Sequence, residues 1–504
     1  MKIKLLIKSL KNKIKDNIYI LSILFVAFAL RIVGISYGYP YLFNIDEPAL
    51  IRSSQGLFFN KFIGHFDWPH FNFYLNFLIY WIFIKIRAII QIIHFRPLLE
   101  SILPQFWNDP FSFYLISRIT NVLFGTFTVL GVYKLAKLMF DKKIAIVSAL
   151  VMAVFPYHVY ISHLAVQEPT LLFWIVWAMY FVYKFSVNRK YRWLIISALF
   201  LAFSSGVKYN AVLMGVYSVF FIVYNFYGSS SYKSFKKYIL NKSTFIELFK
   251  VFFIYGAVFA VVFLITNYQI IKHFDLFWSY EYGRGFLWQL KINSKPITNI
   301  NDLMVAFVTK FATLIRDLGY TPIFIITIGL ILSLLKKDRL KKGMPLIHGI
   351  TLLTFLNLLF TMRYERSGSH YYVIFYGFIA ILTGYFIVRL FTKTWVTYLA
   401  ILLLIIFSIH YDYLFLRTNS IRESLECYEK TKEAGNKIWF KGPKLSEVKM
   451  INNLKMSRFK GLDKINHNQM IISEKKLDDD SLHLIKIIDN KHKFGPKLYI
   501  YVKN

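Results

Sequence analysis

Apolar runs close to bilayer length recur along this chain as far as residue 413, separated by short polar links. They fall at about 18–36, 112–138, 144–162, 169–185, 193–206, 209–227, 247–267, 318–335, 345–362, 371–391 and 395–413. A helix needs roughly 20 apolar residues to cross the hydrocarbon core, so the pattern predicts an all-α polytopic membrane protein of about eleven transmembrane helices. Composition agrees: 56% of the 504 residues are hydrophobic and 19% aromatic, a balance that soluble domains do not reach.

Charge sets the sidedness. Sixty-one Lys plus Arg against 27 Asp plus Glu give a net charge of +34, which in a soluble protein would suggest nucleic acid. Here no aromatic-and-basic nucleic-acid module is present, and the cations gather in links that alternate along the chain. If the N-terminus is inside, residues 1–17, Asp141-Lys142-Lys143, 188–192, 228–246, 336–342 and Lys393 all lie in the cytoplasm, as the positive-inside rule requires, where they also meet anionic lipid headgroups. The segment 1–17 reads as a retained basic cytoplasmic helix, because the apolar run after it is too long for a signal-peptide core and lacks a small-residue cleavage site. A single cysteine, Cys427, leaves no intrachain disulfide and no Cys-based zinc site.

The opposite links are expected outside. The first outer loop, 37–111, contains an apolar stretch at 71–95; a span there would turn every later basic loop outward, so an amphipathic helix on the outer leaflet is expected instead. A second outer loop, 268–317, carries Trp278, Tyr280, Tyr282 and Trp288, which suit an interfacial aromatic belt or stacking on sugar faces. The transmembrane domain is thus assigned to 18–413. The polar, Lys-rich remainder, 414–504, ends in the alternating run Lys497-Leu498-Tyr499-Ile500-Tyr501-Val502 and reads as a small extracytoplasmic α/β domain.

On this topology the ionisable residues near span ends converge on the outer leaflet. Asp46 and Glu47 follow the first run in Phe43-Asn44-Ile45-Asp46-Glu47-Pro48. Glu168 lies in the turn Ser162-His163-Leu164-Ala165-Val166-Gln167-Glu168-Pro169, Lys208 in Ser205-Gly206-Val207-Lys208-Tyr209-Asn210, and Arg363, Arg366 and His370 before the tenth run. Arg118, in the second run, reads as a snorkelling cation. Each taken singly is also readable as an interfacial residue in contact with water. Together, acids and cations at four turns of one face suggest a shared polar cavity, since a charge at membrane depth needs water or a partner. Such a cavity suits transfer of a sugar from a polyprenyl phosphate to a hydroxyl: Asp46 as general base, Lys208 with Arg363 or Arg366 on the donor phosphate.

The acidic pair, the stretch Asp67-Trp68-Pro69-His70-Phe71-Asn72-Phe73-Tyr74-Leu75, and Ser117-Arg118-Ile119-Thr120-Asn121-Val122-Leu123-Phe124-Gly125-Thr126 resemble the GT-C superfamily. More narrowly the chain resembles the phospholipid-carrier-dependent glycosyltransferases, the group of the protein O-mannosyltransferases and the lipid A aminoarabinose transferase. Ser162-His163 to Glu168 resembles the family's second acidic motif, Gly206-Val207-Lys208-Tyr209 its Lys-containing turn, and Arg363-Tyr364 its late motif. The resemblance implies an inverting transfer with Asp46 as catalytic base and Glu47 supporting it. It also implies a polyprenyl-phosphate sugar donor and an acceptor that is protein, lipid or glycan. The family's second motif usually ends in Asp where this chain has Glu168. The resemblance leaves room for a divalent cation held by Asp46, Glu168 and His163, and members of the group differ in metal need.

Three other readings compete. A transporter or flippase of lipid-linked sugars would carry ionisable or broken sites near the midplane in two corresponding halves, whereas this chain has no internal repeat and no charge-bearing mid-span beyond Arg31 and Arg118. A polymerase or ligase of lipid-linked sugars would rely on outer-loop Arg and His without an early acidic pair. A scaffold acting through its tail would tolerate Asp46→Asn.

Overall fold

The computed structural model describes residues 2–92, 96–102, 107, 111–292, 299–335, 343–362, 368–390, 394–417, 419–433, 437–452, 454–490 and 494–503. Each of the eleven apolar runs falls on helix, and a five-stranded sheet follows near the C-terminus, so the fold is the expected helical multi-pass membrane protein with a small α/β domain. Among the described residues seven helices are long and apolar enough to cross a membrane, or nine if each of two bent pairs is one span. The runs at 18–36, 193–206 and 345–362 correspond to shorter apolar helices, Asn17–Ile32, Tyr191–Val207 and Met344–Leu359. The basic N-terminal segment is continuous with the first of these in one helix, Lys2–Ile32.

One bent pair, Lys142–Ala153 with Pro156–Ser162, turns by 57°. Pro156 has no N–H to give to the carbonyl four residues earlier, and the freed carbonyls are taken up from outside the helix. Arg31 donates to Ala153 O at 2.9 Å and Met152 O at 3.3 Å, and Ser408 donates to Val154 O at 2.6 Å. Arg31 is fully buried. The charge that looked out of place within the first span therefore seals a helix break, a use for a buried guanidinium with several fixed donors.

The helix Phe71–Ile92 has the length and apolarity of a span, yet its contacts keep both ends at the same end of the bundle. Its start meets Gly206 and Asn267, at the ends of the helices Tyr191–Val207 and Lys242–Thr266. Its later turns place Arg87 beside Ser112 and Trp107, at the start of the helix Phe111–Met139. Its middle is tied to the same helix by Tyr80 and Asn76, both bonded to Ser117. Gly206 permits the approach: a Cβ there would lie 2.7 Å from the Phe71 Cβ.

After the helix Thr394–Leu416, the C-terminal domain begins with the helix Ser420–Glu433. Its strands are β1 Ile438–Lys441, β2 Ser457–Arg458, β3 Met470–Ser473, β4 Leu482–Ile488 and β5 Leu498–Lys503, in the order β2-β1-β3-β5-β4. The pairs β1–β2 and β1–β3 are parallel and β3–β5 and β4–β5 antiparallel. Alternation along β5 puts Leu498 and Ile500 in a core with Leu445 and Val448 of the helix Pro443–Asn452, while Tyr501 joins Trp439 and Ile471 on the opposite face.

Candidate active site

The helix Asp46–Gly56 begins at the acidic pair, with the Asn44 side chain accepting from the Asp46 N–H at 2.9 Å. Acids in the first turn, with Pro just inside it, are what a helix N-terminus favours. The two carboxylates go different ways. Glu47 is fully buried and receives Arg118 through two parallel bonds, Nε to Oε1 at 2.8 Å and Nη2 to Oε2 at 2.9 Å. Its Oε1 also accepts from the Ala165 N–H at 2.8 Å. The remaining Arg118 nitrogen, Nη1, donates to Ile35 O at 3.0 Å and Tyr37 O at 2.8 Å. Arg118 is 1% exposed. It does not snorkel; it ties its own helix to the segment 35–47 and, through Glu47, to Ala165.

Asp46 opens instead into a cavity of about 490 Å³. Its side chain has no hydrogen bond or ion pair with any described residue, and it is exposed at the cavity wall. Protein surrounds it closely enough that desolvation, and then the negative charge of Glu168, raise its carboxyl above the usual range against the pull of Lys208. Glu168 starts the helix Glu168–Asn188 and forms an ion pair with Lys208, which caps the helix Tyr191–Val207. Both line the same cavity as Asp46. The structure thus brings together three of the residues picked out in the sequence, and Glu47 stands behind them in the wall.

Other members of the set stand differently. His163 is turned away from the cavity: its Nε2 lies 2.7 Å from Val33 O, its Nδ1 2.9 Å from Val159 O, and its ring stacks on Phe415 at 4.1 Å. The expected metal set of Asp46, Glu168 and His163 is therefore not assembled. Among the described residues no group of three His, Cys, Asp or Glu side chains is placed to hold a metal ion. His163 fails because it ends the short helix Pro156–Ser162, on the far side of the turn that leads to Glu168. Arg363 and Arg366 lie outside the described residues. His370, in the segment after them, lines the cavity.

Several residues that shape the site were not assigned a role from sequence. Asn121, one turn after Arg118, donates from Nδ2 to both Leu164 O and Val166 O at 2.7 Å, and its Oδ1 accepts from Thr170 at 3.2 Å. It fixes the turn that delivers Glu168. Asp67 lines the cavity and is bonded to His65 at 2.6 Å. The segment ahead of the helix Phe71–Ile92 is tied down by Tyr209, which donates to Phe66 O at 3.0 Å, and by Arg284, whose Nε donates to Gly64 O at 3.1 Å. Of the outer aromatics, Trp288 lines the cavity, whereas Trp278, Tyr280 and Tyr282 are exposed. The C-terminal domain reaches the same segment: Asn452 holds both backbone groups of Leu42 at 2.9 Å, and Arg52 donates to Ile451 O at 2.9 Å. Asn121 stood out in sequence as a polar residue inside an apolar run, but nothing said what it or the others would meet.

Residues 114–255 match the family described as dolichyl-phosphate-mannose-protein mannosyltransferase. This match, over less than a third of the chain, agrees with the resemblance read from the sequence to that group of membrane glycosyltransferases. No curated protein matches the chain in sequence. Among solved structures, the apo oligosaccharyltransferase of Archaeoglobus fulgidus is similar at 12% identity and a TM-score of 0.47, over 88% of this chain and 64% of that one. The ArnT of Cupriavidus metallidurans bound to undecaprenyl phosphate is similar at 10% identity and a TM-score of 0.46, over 96% of this chain and 97% of that one. The S. cerevisiae protein O-mannosyltransferase Pmt1-Pmt2 complex bound to the sugar donor is similar at 19% identity and a TM-score of 0.36, over 51% of this chain and 34% of that one. This chain spans less than two thirds of the oligosaccharyltransferase's length.

Proposed function

We propose that this protein moves a sugar from a polyprenyl-phosphate donor to an acceptor hydroxyl at the extracytoplasmic membrane surface, with inversion and with Asp46 as general base. The observation that carries the reading is the state of Asp46: a carboxylate without a side-chain partner among the described residues, at the wall of a cavity of about 490 Å³ shared with the Glu168–Lys208 pair. Burial and the neighbouring Glu168 make it a stronger base than an ordinary aspartate. In this reading Asp46 takes the acceptor's hydroxyl proton as the oxygen attacks the anomeric carbon from the face opposite the phosphate. The bond from that carbon to the phosphate oxygen breaks, and polyprenyl phosphate departs with the electron pair.

Lys208 supplies positive charge to the departing phosphate, shared with Glu168, whose carboxylate otherwise holds it. Glu47 and Arg118 position Asp46 without entering the cavity. The acceptor class is left to a panel of peptides, lipids and glycans. Purified protein is given polyprenyl-phosphate sugars with that panel, wild type beside Asp46→Asn. Transfer by the wild type and a loss of roughly 10²–10⁴-fold in the variant are expected for a missing general base; equal rates would remove Asp46 from the mechanism.

A further inference from the structure

Gln167 is the residue of the second acidic turn that this reading leaves without a task. It borders the same cavity as Asp46, Glu168 and Lys208 and is only 3% exposed. Both of its side-chain amide atoms, Oε1 and Nε2, are buried without a hydrogen-bond partner among the described residues. Leaving a buried donor and acceptor unpaired is costly. The neighbours have their bonds: Val166 O is held by Asn121, Ala165 N by Glu47, and Gln167 O by the Leu171 N–H at 2.9 Å. Packing alone would be served as well by Leu or Met, which carry no such penalty. Asn210, which lines the same cavity, also has a buried Oδ1 without a partner among the described residues.

We propose that the Gln167 carboxamide recognises the donor's sugar ring, accepting a hydrogen bond from one ring hydroxyl and donating to the oxygen of its neighbour. The ligand class is a neutral sugar with two adjacent free hydroxyls, seated between Asp46 and the Glu168–Lys208 pair. An amide presents one donor and one acceptor side by side, the pattern that a vicinal diol complements. The assignment rests on the donor reading above and adds to it which wall of the cavity reads the sugar. Gln167 touches the ring and takes no proton, so it sets specificity and leaves the base chemistry to Asp46.

The test compares equilibrium binding of undecaprenyl phosphate with undecaprenyl phosphate bearing mannose, glucose or arabinose, for wild type, Gln167→Met and Gln167→Leu in nanodiscs. The wild type is expected to bind at least one sugar-bearing lipid more tightly than the bare lipid. Both variants are expected to lose that preference by roughly tenfold to a hundredfold while keeping the wild-type affinity for bare undecaprenyl phosphate. Without ligand, the Tm of the better-folded variant should equal or exceed that of the wild type, because an unpaired amide has been removed. A clear fall in ligand-free Tm in both would show that the amide serves the fold and would overturn the proposal. If the wild type prefers sugar-bearing lipid and the variants keep that preference, Gln167 is not the sugar contact and the donor reading stands. If the wild type shows no preference for any of the three, the donor reading falls and this proposal with it.

Discussion

Arg118 and Glu47 face each other through two parallel hydrogen bonds of 2.8 and 2.9 Å, with both side chains 1% exposed. The same guanidinium holds the carbonyls of Ile35 and Tyr37, and the same carboxylate holds the amide of Ala165. One ion pair therefore sets the position of the helix that bears Asp46 relative to the turn that bears Glu168.

Removing one partner of a pair buried so completely leaves an uncompensated charge, which costs about 3–5 kcal/mol. Arg118→Met and Glu47→Leu should each lower the Tm strongly. Arg118→Lys should rescue little, because an ammonium cannot make the forked contact. A Tm for Arg118→Lys equal to wild type would show that the fork does not matter.

Asp46 yields a prediction in pH. Its carboxyl is held above the usual range, so the protonated form is favoured in the folded state. A base must be ionised, so transfer should climb with pH through an inflection above the ordinary aspartate value of about 3.9. The sign for stability is opposite: the ionised group weighs against folding above its folded pKa, and that penalty disappears below the unfolded value. Asp46→Asn should thus be inactive yet at least as stable as wild type at pH 7, as thermal unfolding in detergent would show.

The Glu168–Lys208 pair is nearly buried, with side chains 10% and 17% exposed. Lys208→Met strands Glu168, and Glu168→Gln frees Lys208, so each single change should weaken the fold. The double variant should be more stable than additivity allows, by roughly 0.5–3 kcal/mol. In turnover, Lys208→Met is expected to fall below Glu168→Gln, since the lysine is assigned to the leaving phosphate. The reverse order would show that Lys208 is not the main support of the leaving phosphate.

Asn452 grips both backbone groups of Leu42, four residues before Asp46. Asn452→Ala should therefore reduce transfer several-fold while leaving the C-terminal domain folded, a result that proteolysis and turnover measured on one preparation would separate. Undiminished transfer would mean that the domain does not help to hold the acidic turn.

Much of the membrane domain was legible in advance because apolar length is a local property. Each expected run falls on helix. Asp46, Glu168 and Lys208 met as expected because each sits at a turn on one face of the bundle. What sequence could not give was direction. Glu47 and Asp46 are neighbours, but one faces a guanidinium 71 residues away and the other a cavity. His163 shares a turn with Glu168, but its ring is captured by Val33 O and Phe415. Arg31 was visible only as a charge within a span, with no sign that it would bind the carbonyls of Met152 and Ala153 at the break before Pro156.

Because Asp46 and Glu47 are consecutive at the head of a helix, their side chains leave it about 100° apart. Only one of them can meet Arg118, and which one does so fixes the rotation of the helix about its own axis. The dipeptide is consequently ordered. Exchanging the two acids would give the buried position a side chain one methylene too short for the guanidinium and the open position one methylene too long, with net charge unchanged. A one-residue insertion between Asp46 and Glu47 would turn the base out of the cavity altogether. The angular setting of the proposed base is thus governed by a residue that never meets the substrate, and a search for alternative catalysts on this scaffold would have to keep that setting before it changed any chemistry.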